Sequence, residues 1–407
     1  MAMLDFNLTD AEENIRAFLH AFAKSALRPA SIIADANEHQ KPMAAIEALH
    51  ALQSGGMGYG ANKPSQQFDR VEAKALTSII RAEELSWGAA SVLLSRPGPG
   101  LGGAAILASG TAEQKERWLK RYDDGTIRFG AMALTESNAG SDVSGIETTA
   151  VLDASGKHWV LNGSKIFCTS GASADVLVVW ATVDKSKGKE GIRSFIVEKG
   201  TPGFTIGRLE KKMGIRASET AELVFEDCRI PRENLLGEEN PSADAKNKGF
   251  KGAMATFDMT RPGVASMAIG IARAALEYTV DVLEADGFVH GWGRSRAHLS
   301  ALQDRVQEMD AQIEAARLLT RRAAFMLDEK VPNALEASMA KAKAGRVVVD
   351  VCATCIELLG PAALTRAHPL EMWLRDSKVF DIFEGTGQVQ RLIIARKILG
   401  YTSKELA

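Results

Sequence analysis

The sequence predicts an α+β multidomain protein in which a small β domain separates two helical domains. Apolar residues recur at helical spacing through roughly the first 125 residues, short strand-like segments follow, and long helical patterns return after residue 253. These changes place the N-terminal helical domain at 1–126, the middle β domain at 127–240 and a C-terminal helical bundle at 241–407.

The composition is that of an ordinary globular protein. The chain has 407 residues, of which 46% are hydrophobic and 25% charged, and its net charge of -2 indicates neither nucleic acid nor an anionic membrane as a partner. The longest apolar stretch, 176–183, is too short to span a bilayer. Residues 1–5 lack the features of a signal peptide. We therefore expect a cytoplasmic protein without an integral membrane segment.

Helix-start signals organise the N-terminal region. Thr9 with Glu12, and Thr111 with Gln114, have the three-residue spacing of a capping box, and each pair precedes a helical pattern. The second of these helices is expected to end near residue 122. Another helical pattern covers 71–94 and lies between glycine-rich breaks at 55–60 and 96–100.

Strand signals dominate the middle of the chain. Asn162-Gly163, between the runs 158–161 and 164–168, predicts a tight hairpin. Further strands are predicted at 175–183, 192–198, 204–209 and 221–230. Six or seven short strands in about 100 residues indicate a small barrel or sandwich. A βαβ pattern and a Gly-x-Gly-x-x-Gly loop are both absent from the sequence, which disfavours a Rossmann domain.

Helical patterns return after a polar linker at 237–252. The predicted helices cover 253–286, 296–328, 332–360, 367–382 and 387–400. Their length and short connections indicate an antiparallel bundle. Cys352 and Cys355 have the two-residue spacing of metal and redox sites, but they lie in a helical pattern with no second pair and no nearby histidine. We interpret them as buried packing residues and predict no metal site.

Glu384 is the candidate catalytic residue. It lies between a segment containing Phe380 and Phe383 and a Gly-Thr-Gly step, after which a helical pattern restarts. An apolar setting raises the pKa of a carboxyl group toward neutrality, as a general base working near pH 7 requires. The alternative is a solvent-exposed glutamate near a helix start, where acidic residues are common.

Three stretches together resemble the acyl-CoA dehydrogenase family. They are Ala-Leu-Thr-Glu-Ser-Asn-Ala-Gly-Ser-Asp at 133–142, Phe-Asp-Met-Thr-Arg-Pro at 257–262, and Glu-Gly-Thr followed by Gln-Val-Gln-Arg-Leu at 384–392. Shorter matches lie at 161–165, 216–218, 224–227 and 231–234, so the resemblance covers nearly the whole chain. It implies a helical domain, a small β domain and a C-terminal four-helix bundle.

The resemblance implies FAD as cofactor and assigns residues to it. Met132 and Leu134 would contribute backbone contacts to the flavin ring, and the Thr135 hydroxyl would face N1 and O2. Phe167 would cover the ring, with Thr169 near N5, although Phe167 also reads as a core residue. Thr386 and Gln388 would bond the pyrophosphate and ribityl region.

The resemblance also implies the substrate and the reaction. Ser141 would face coenzyme A, and Phe257, Asp258, Arg261 and Gly385 would line the thioester site. Glu384 would remove the α-proton while a hydride passes to flavin N5, yielding a trans-2-enoyl-CoA. Some members carry the base at the position of Thr260, which has no carboxylate here. An electron-transferring flavoprotein would reoxidise the flavin, and the protein would be a homotetramer.

The predicted position of Arg261 is unusual for an arginine. We expect it at the start of the first bundle helix, where its charge would oppose the helix dipole. A surface salt bridge is the alternative to a role in the active site.

Two motifs that serve the adenosine end of FAD in the family are altered. Segment 286–296 is about six residues longer and lacks Arg-x-x-Phe-Gly, and Gly360-Pro361 replaces a Gly-Gly-x-Gly turn. We hypothesise that Arg294 or Arg296 replaces the missing arginine; a hetero-oligomer is the alternative. A flavin oxidase or monooxygenase of the same fold, and a non-catalytic subunit, are the competing functions.

Overall fold

The computed structural model describes residues 7–57, 74–238, 248–402 and 405, and of 248–255 only the helical backbone. The α-helices are α1 (Asp10–Phe22), α2 (Arg28–Ala36), α3 (Met43–Ser54), α4 (Ala75–Leu93), α5 (Gly100–Ser109), α6 (Ala112–Leu119), α7 (Lys248–Ala285), α8 (Ala301–Asp328), α9 (Ala334–Leu359), α10 (Leu370–Ser377) and α11 (Gly387–Leu399). The strands are β1 (Gly130–Ala133), β2 (Thr149–Leu152), β3 (His158–Thr169), β4 (Val176–Thr182), β5 (Ile192–Glu198), β6 (Phe204–Leu209) and β7 (Thr220–Pro231).

Both predicted N-terminal capping boxes are confirmed. The Thr9 hydroxyl accepts a hydrogen bond from the Glu12 N–H, and the Glu12 carboxylate accepts one from the Thr9 N–H. Thr111 and Gln114 form the same pair of hydrogen bonds at the start of α6. A 3-10 turn, Lys120–Tyr122, completes the helix that starts at Thr111. Residues 58–60 of the first predicted break and 71–73 of the predicted 71–94 helix lie outside the described residues.

The middle of the chain forms one curled sheet in the order β1-β4-β2-β3-β7-β6, with β5 on the free side of β4. Alternation along β4 sends Leu177 and Val179 to one buried cluster and Val178 and Trp180 to another, so both faces of the sheet are covered. The strands β1 and β4 are parallel, yet two strands rather than a helix connect them.

The predicted hairpin at Asn162-Gly163 is wrong, because β3 runs through these residues without a turn. It pairs with β2 on one side and with β7 on the other, and the register with β7 shifts between Leu161 and Gly163. Gly163 has φ 143°, and a Cβ there would lie 2.6 Å from Thr148 Oγ1. The glycine therefore permits the close approach of Thr148, while the extra residue of the β-bulge lies opposite on β7, and long-range pairing overrides the local turn preference.

The C-terminal helices differ from prediction at their ends. α7 already begins at Lys248, and residues 239–247 of the predicted linker lie outside the described residues. α8 begins only at Ala301, after a 3-10 turn at Arg296–His298. The predicted 367–382 helix is α10 followed by a 3-10 turn, Lys378–Asp381. α9 packs against α7, α8, α10 and α11, which makes it the central helix of the bundle.

One hydrophobic core joins the two helical regions. Buried residues of α1 and α4 belong to the same cluster as those of α7, α8 and α9. Gly270 of α7 lies against the backbone of α4, where a Cβ would be 2.3 Å from the Glu83 carbonyl oxygen. The contact fixes the distance between α4 and α7.

Among the residues that the structure describes, no helix is long and apolar enough to cross a membrane. In the same residues, no group of three or more histidine, cysteine or acidic side chains is arranged to hold a metal ion. Cys352 and Cys355 are buried free thiols on α9, with Cys355 Sγ 3.9 Å from Met309 Sδ.

Gly270→Ala should destabilise the fold by about 1–3 kcal/mol, because the added methyl group forces α4 and α7 apart. Urea unfolding followed by circular dichroism measures the change. Gly145→Ala is the matched control, since nothing lies within 4 Å of the place that its added Cβ would take. Equal unfolding midpoints for the two variants would contradict the close helix contact.

Candidate active site

Glu384 lies at the junction between the 3-10 turn Lys378–Asp381 and α11. Its backbone is left-handed, with φ 57°, and Gly385 follows with φ 89°. Phe380 is fully buried, and its ring packs edge-on against that of Phe383 with centroids 5.1 Å apart. The glutamate side chain is half-buried, so the solvated alternative does not describe it.

A hydrogen bond ties the Glu384 carboxylate to α7. The Thr260 hydroxyl donates to Glu384 Oε2 at 2.7 Å. Burial raises the pKa of Glu384 above its ordinary value, and the Thr260 hydrogen bond with the charges of Arg261 and Lys341 partly offsets that rise. Glu384 therefore holds a proton more readily than an exposed glutamate does.

The predicted place of Arg261 at a helix start is wrong. α7 begins at Lys248, so Thr260 and Arg261 lie well inside it and the helix dipole is not the constraint. Arg261 is only 4% exposed and its Nη1 donates to Asp258 Oδ1 one turn earlier. Burial raises the pKa of Asp258, opposed by Arg261. A surface salt bridge therefore does not account for this arginine.

The end of β1 and the residues after it are held by a buried ion pair. Lys165 Nζ, with no exposure, donates to the Leu134 carbonyl at 3.0 Å and to Glu136 Oε1 at 2.6 Å. Glu136 also accepts the N–H groups of Glu147 and Thr148. Thr135 is thereby fixed between two anchored neighbours.

A second bulge turns Phe167 outward. The β3–β7 register shifts between Lys165 and Cys168, and Phe167 has φ 57°. Its side chain is 61% exposed, whereas a core phenylalanine would be buried. Thr169 is half-buried at the end of the same strand. A flat apolar ring and a hydroxyl are thus presented at one end of the sheet.

Segment 257–260 of α7 connects the sheet to Glu384. Phe257 packs against the buried cluster that contains Leu134, and Thr260, one turn later, bonds Glu384. This turn of α7 therefore contacts both the Glu384 carboxylate and the hydrophobic cluster on one face of the sheet.

The other predicted residues are dispersed. Thr386 is the N-cap of α11 and its hydroxyl accepts the Val389 N–H, while Gln388 is exposed in the first turn. Ser141 is exposed on the loop before the 3-10 turn Val143–Gly145. Within the described residues, no hydrogen bond joins it to Glu384. Arg294 and Arg296 are exposed in the segment after α7, and that helix ends at Ala285, roughly 37 Å from Thr260 by helix rise.

A cavity of about 780 Å³ lies elsewhere, between α1, α4, α7 and α8. Arg273 Nη2 bonds Glu84 Oε2 at 2.5 Å and Arg317 Nη2 bonds Glu83 Oε1 at 2.9 Å in its wall. Because these lining charges satisfy one another, we assign the cavity a structural role.

The residues that support the site were missed in the sequence. Lys165, Glu136 and Gln390 occur inside recognised motifs without a predicted role, and Lys341 lies outside those motifs. Lys341 had a signal: it stands among Ala337, Ala340 and Ala344, which are all buried on α9. A charged residue on an apolar helix face indicates a specific partner.

The architecture and the place of the carboxylate define a class: a helical–β–helical protein with a half-buried, hydrogen-bonded glutamate just before its last helix. The family models of the acyl-CoA dehydrogenase N-terminal, middle and C-terminal domains match residues 9–126, 131–228 and 247–399, respectively. The chain belongs to the acyl-CoA dehydrogenase family.

Individual relatives and solved structures support the same family assignment. The short-chain specific acyl-CoA dehydrogenase of Clostridium acetobutylicum is 40% identical over 399 residues, 97% of this chain and 100% of the relative. The butyryl-CoA dehydrogenase structure from Megasphaera elsdenii is similar with a TM-score of 0.84 and 37% identity, covering 97% of this chain and 100% of that one. A glutaryl-CoA dehydrogenase from Mycobacterium smegmatis in complex with FADH2 has a TM-score of 0.81 and 26% identity, covering 97% and 96% of the two chains.

Lys165→Met should destabilise the protein by about 3–5 kcal/mol, because Glu136 would remain buried without its cation. Adding Glu136→Gln should recover part of the loss. Lys120→Met, which removes an exposed lysine from its pair with Glu116, should leave the urea midpoint unchanged and serves as the control.

The stability difference between Lys165→Met and the original protein should depend on pH. Although burial acts in the opposite direction, the Lys165 charge and several hydrogen bonds hold the pKa of Glu136 below its ordinary value. The stabilisation is therefore present above about pH 4.3 and is lost as the pH falls through the folded-state pKa. A deficit of Lys165→Met that stays constant on acidification would contradict the ion-pair explanation.

Proposed function

We propose that this protein is an FAD-dependent acyl-CoA dehydrogenase that converts an acyl-CoA thioester to a trans-2-enoyl-CoA. One observation supports it above all: Glu384, with a raised pKa and a hydrogen bond from Thr260, lies beside the turn of α7 whose Phe257 packs against the hydrophobic cluster that includes Leu134. The names of the full-length relatives support a short acyl chain as the first substrate to test.

The donor set fits a flavin. The exposed Phe167 ring offers a flat face, and Thr135 and Thr169 offer hydroxyl groups near it, with Met132 and Leu134 supplying backbone at the strand end. The N-terminus of α11, with Thr386 as its cap and Gln388 in its first turn, suits a pyrophosphate. Bound there, FAD supplies the acceptor for a hydride.

The chain's own residues carry out the proton transfer. The Thr260 hydroxyl occupies Glu384 Oε2, which leaves Oε1 to take the α-proton. The electron pair of the broken α C–H bond forms the C=C bond as the β-hydrogen leaves with its own electron pair. The backbone N–H of Glu384 is assigned to the thioester oxygen, where a fixed donor contributes roughly 3–4 kcal/mol.

Neighbouring residues bind and orient the substrate in this proposal. Gly385 allows close approach of the thioester, and Phe257 and Asp258 contact it from α7. Arg261 neutralises Asp258 and keeps the site electrically balanced around the carboxylate. Ser141, exposed on its loop, contacts the coenzyme A portion.

The assembly is part of the proposal. Because α7 ends at Ala285, roughly 37 Å from Thr260 by helix rise, and Arg294 follows that end, this arginine would serve the FAD of a partner subunit in a homotetramer. Arg296 already forms a salt bridge, with its Nε 2.6 Å from Asp304 Oδ1. This favours Arg294 as the arginine that contacts the adenosine end of FAD. The proposal includes domain boundaries at 126 and 240, a cytoplasmic location and an electron-transferring flavoprotein as acceptor.

The competing functions are not favoured. A non-catalytic subunit gives no reason for a braced, half-buried Glu384 with a raised pKa. An oxidase or monooxygenase would consume oxygen without a protein acceptor, and that assay separates it from the proposed dehydrogenase.

Butyryl-CoA added anaerobically should bleach the flavin absorbance of the purified protein, because hydride transfer reduces the ring. Glu384→Gln should slow bleaching by at least about 100-fold, since the base is lost while the shape is kept. Glu113→Gln, an exposed glutamate on α6, is the control and should behave as the original protein. Rapid bleaching by Glu384→Gln would remove Glu384 from its role.

Arg294→Ala should weaken FAD retention, and Arg296→Ala should do so less, because Arg296 already pairs with Asp304. The flavin-to-protein ratio after gel filtration measures the difference, and sedimentation velocity checks that the assembly persists. Full flavin content in the Arg294→Ala and Arg296→Ala double variant would exclude both arginines from the cofactor site.

A further inference from the structure

Two side chains from different helices hold the backbone that carries Glu384. Lys341 Nζ, from α9, donates to the Gly385 carbonyl at 2.6 Å. Gln390 Nε2, from α11, donates to the carbonyls of Glu384 and Gly385, each at 3.1 Å. Left-handed backbone at a residue other than glycine costs about 1–3 kcal/mol and persists only where its surroundings hold it. The two donors meet that need.

Lys341 is buried to an unusual degree for a lysine. Only 1% of the residue is exposed, and burial lowers its pKa to about 8. The charged groups that face it are Asp381 and Glu384, which favour its ammonium form, and Arg261, which opposes it. Lysine is rarely buried without a partner, and here the hydrogen-bonded partner is the carbonyl next to the base.

The packing of α9 makes this contact possible. Gly345, one turn after Lys341, lies against the 3-10 turn that leads to Glu384, and a Cβ there would be 2.7 Å from the Phe380 carbonyl oxygen. The missing side chain lets α9 approach the turn closely. Lys341 therefore projects from the part of α9 nearest to the Glu384 segment.

We propose that Lys341 is a positioning residue for Glu384: it anchors the Gly385 carbonyl and its positive charge stabilises the ionised carboxylate. This inference rests on the proposed function of Glu384 as the base. Anchoring keeps the carboxylate beside Thr260 and keeps the Glu384 N–H in place. The positive charge opposes the effect of burial on the pKa of Glu384 and so favours the ionised form of the base.

The anchor and the charge have separable consequences. Loss of the anchor lets the turn open, which lowers kcat and speeds amide exchange around Glu384. Loss of the charge raises the pKa of Glu384 further, which moves the acid limb of the kcat/KM profile to higher pH. A merely structural lysine would change stability without moving that limb.

Lys341→Met tests both consequences in the full-length, FAD-loaded protein with butyryl-CoA. We expect kcat to fall by about 10–100-fold with little change in KM, and the acid limb to rise by about one pH unit. Hydrogen–deuterium exchange should increase in peptides covering 384–386. Any alkaline limb near pH 8 that reflects Lys341 deprotonation should disappear.

Two further variants isolate the causes. Lys343→Met removes a lysine two residues away on α9 whose Nζ bonds Gln312 instead, and it should retain the original profile. Gln390→Leu removes two hydrogen bonds to the turn without changing charge, so kcat should fall while the acid limb stays. Lys341→Gln, which keeps a donor but loses the charge, should move the limb even if Lys341→Met does not fold.

The outcomes distinguish this inference from the proposed function. If the original protein is bleached and Glu384→Gln is not, but Lys341→Gln and Lys341→Met retain the original kcat and acid limb, the role of Lys341 is wrong. If the original protein is not bleached by any acyl-CoA thioester, or Glu384→Gln is bleached as fast, the proposed function itself fails.

Discussion

The hydrogen bond from the Thr260 hydroxyl to the Glu384 carboxylate joins residues 124 positions apart in the chain. It holds the turn before α11 against α7, and α7 in turn contacts the sheet through Phe257. The proposed proton transfer depends on this alignment, because a base acts only within hydrogen-bond reach of the proton it removes. The long α7 packs on α4 through Gly270, which connects the site to the helical core.

Opposing influences set the protonation of the site. Burial favours the neutral form of Glu384, whereas Thr260, Arg261 and Lys341 favour the ionised form. A carboxyl group balanced in this way is less basic than a fully apolar pocket would make it and more basic than an exposed one. The balance needs groups from α7, α9 and the 384–386 turn, so no single element determines it.

The loop after β1 is held in place by a different kind of interaction. Lys165 and Glu136 form a buried ion pair that also satisfies a carbonyl and two N–H groups, so the loop after β1 has few alternative conformations. The bulge at Phe167 then turns an aromatic ring outward from an otherwise buried strand. An anchored loop and an exposed aromatic ring therefore lie at one end of the sheet, which is where the proposed flavin site is placed.

Local sequence was a reliable guide where local interactions decide the structure. The capping boxes at Thr9 and Thr111 form as predicted because their hydrogen bonds join residues three positions apart. Asn162-Gly163 was misread because pairing of β3 with β7, distant in sequence, overrides the turn preference of the dipeptide. Arg261 was placed at a helix start because nothing local marks the beginning of α7 at Lys248.

The sequence by itself determined the order of helical, β and helical regions, the candidate base Glu384 and the family resemblance, since periodicity and motifs are properties of the linear chain. Only the tertiary structure decided what surrounds that base. The Thr260 hydrogen bond, the Lys341 anchor and the outward turn of Phe167 each join segments that are separated in sequence or depend on neighbouring strands. Contacts of this kind arise from packing in three dimensions, which no local pattern encodes.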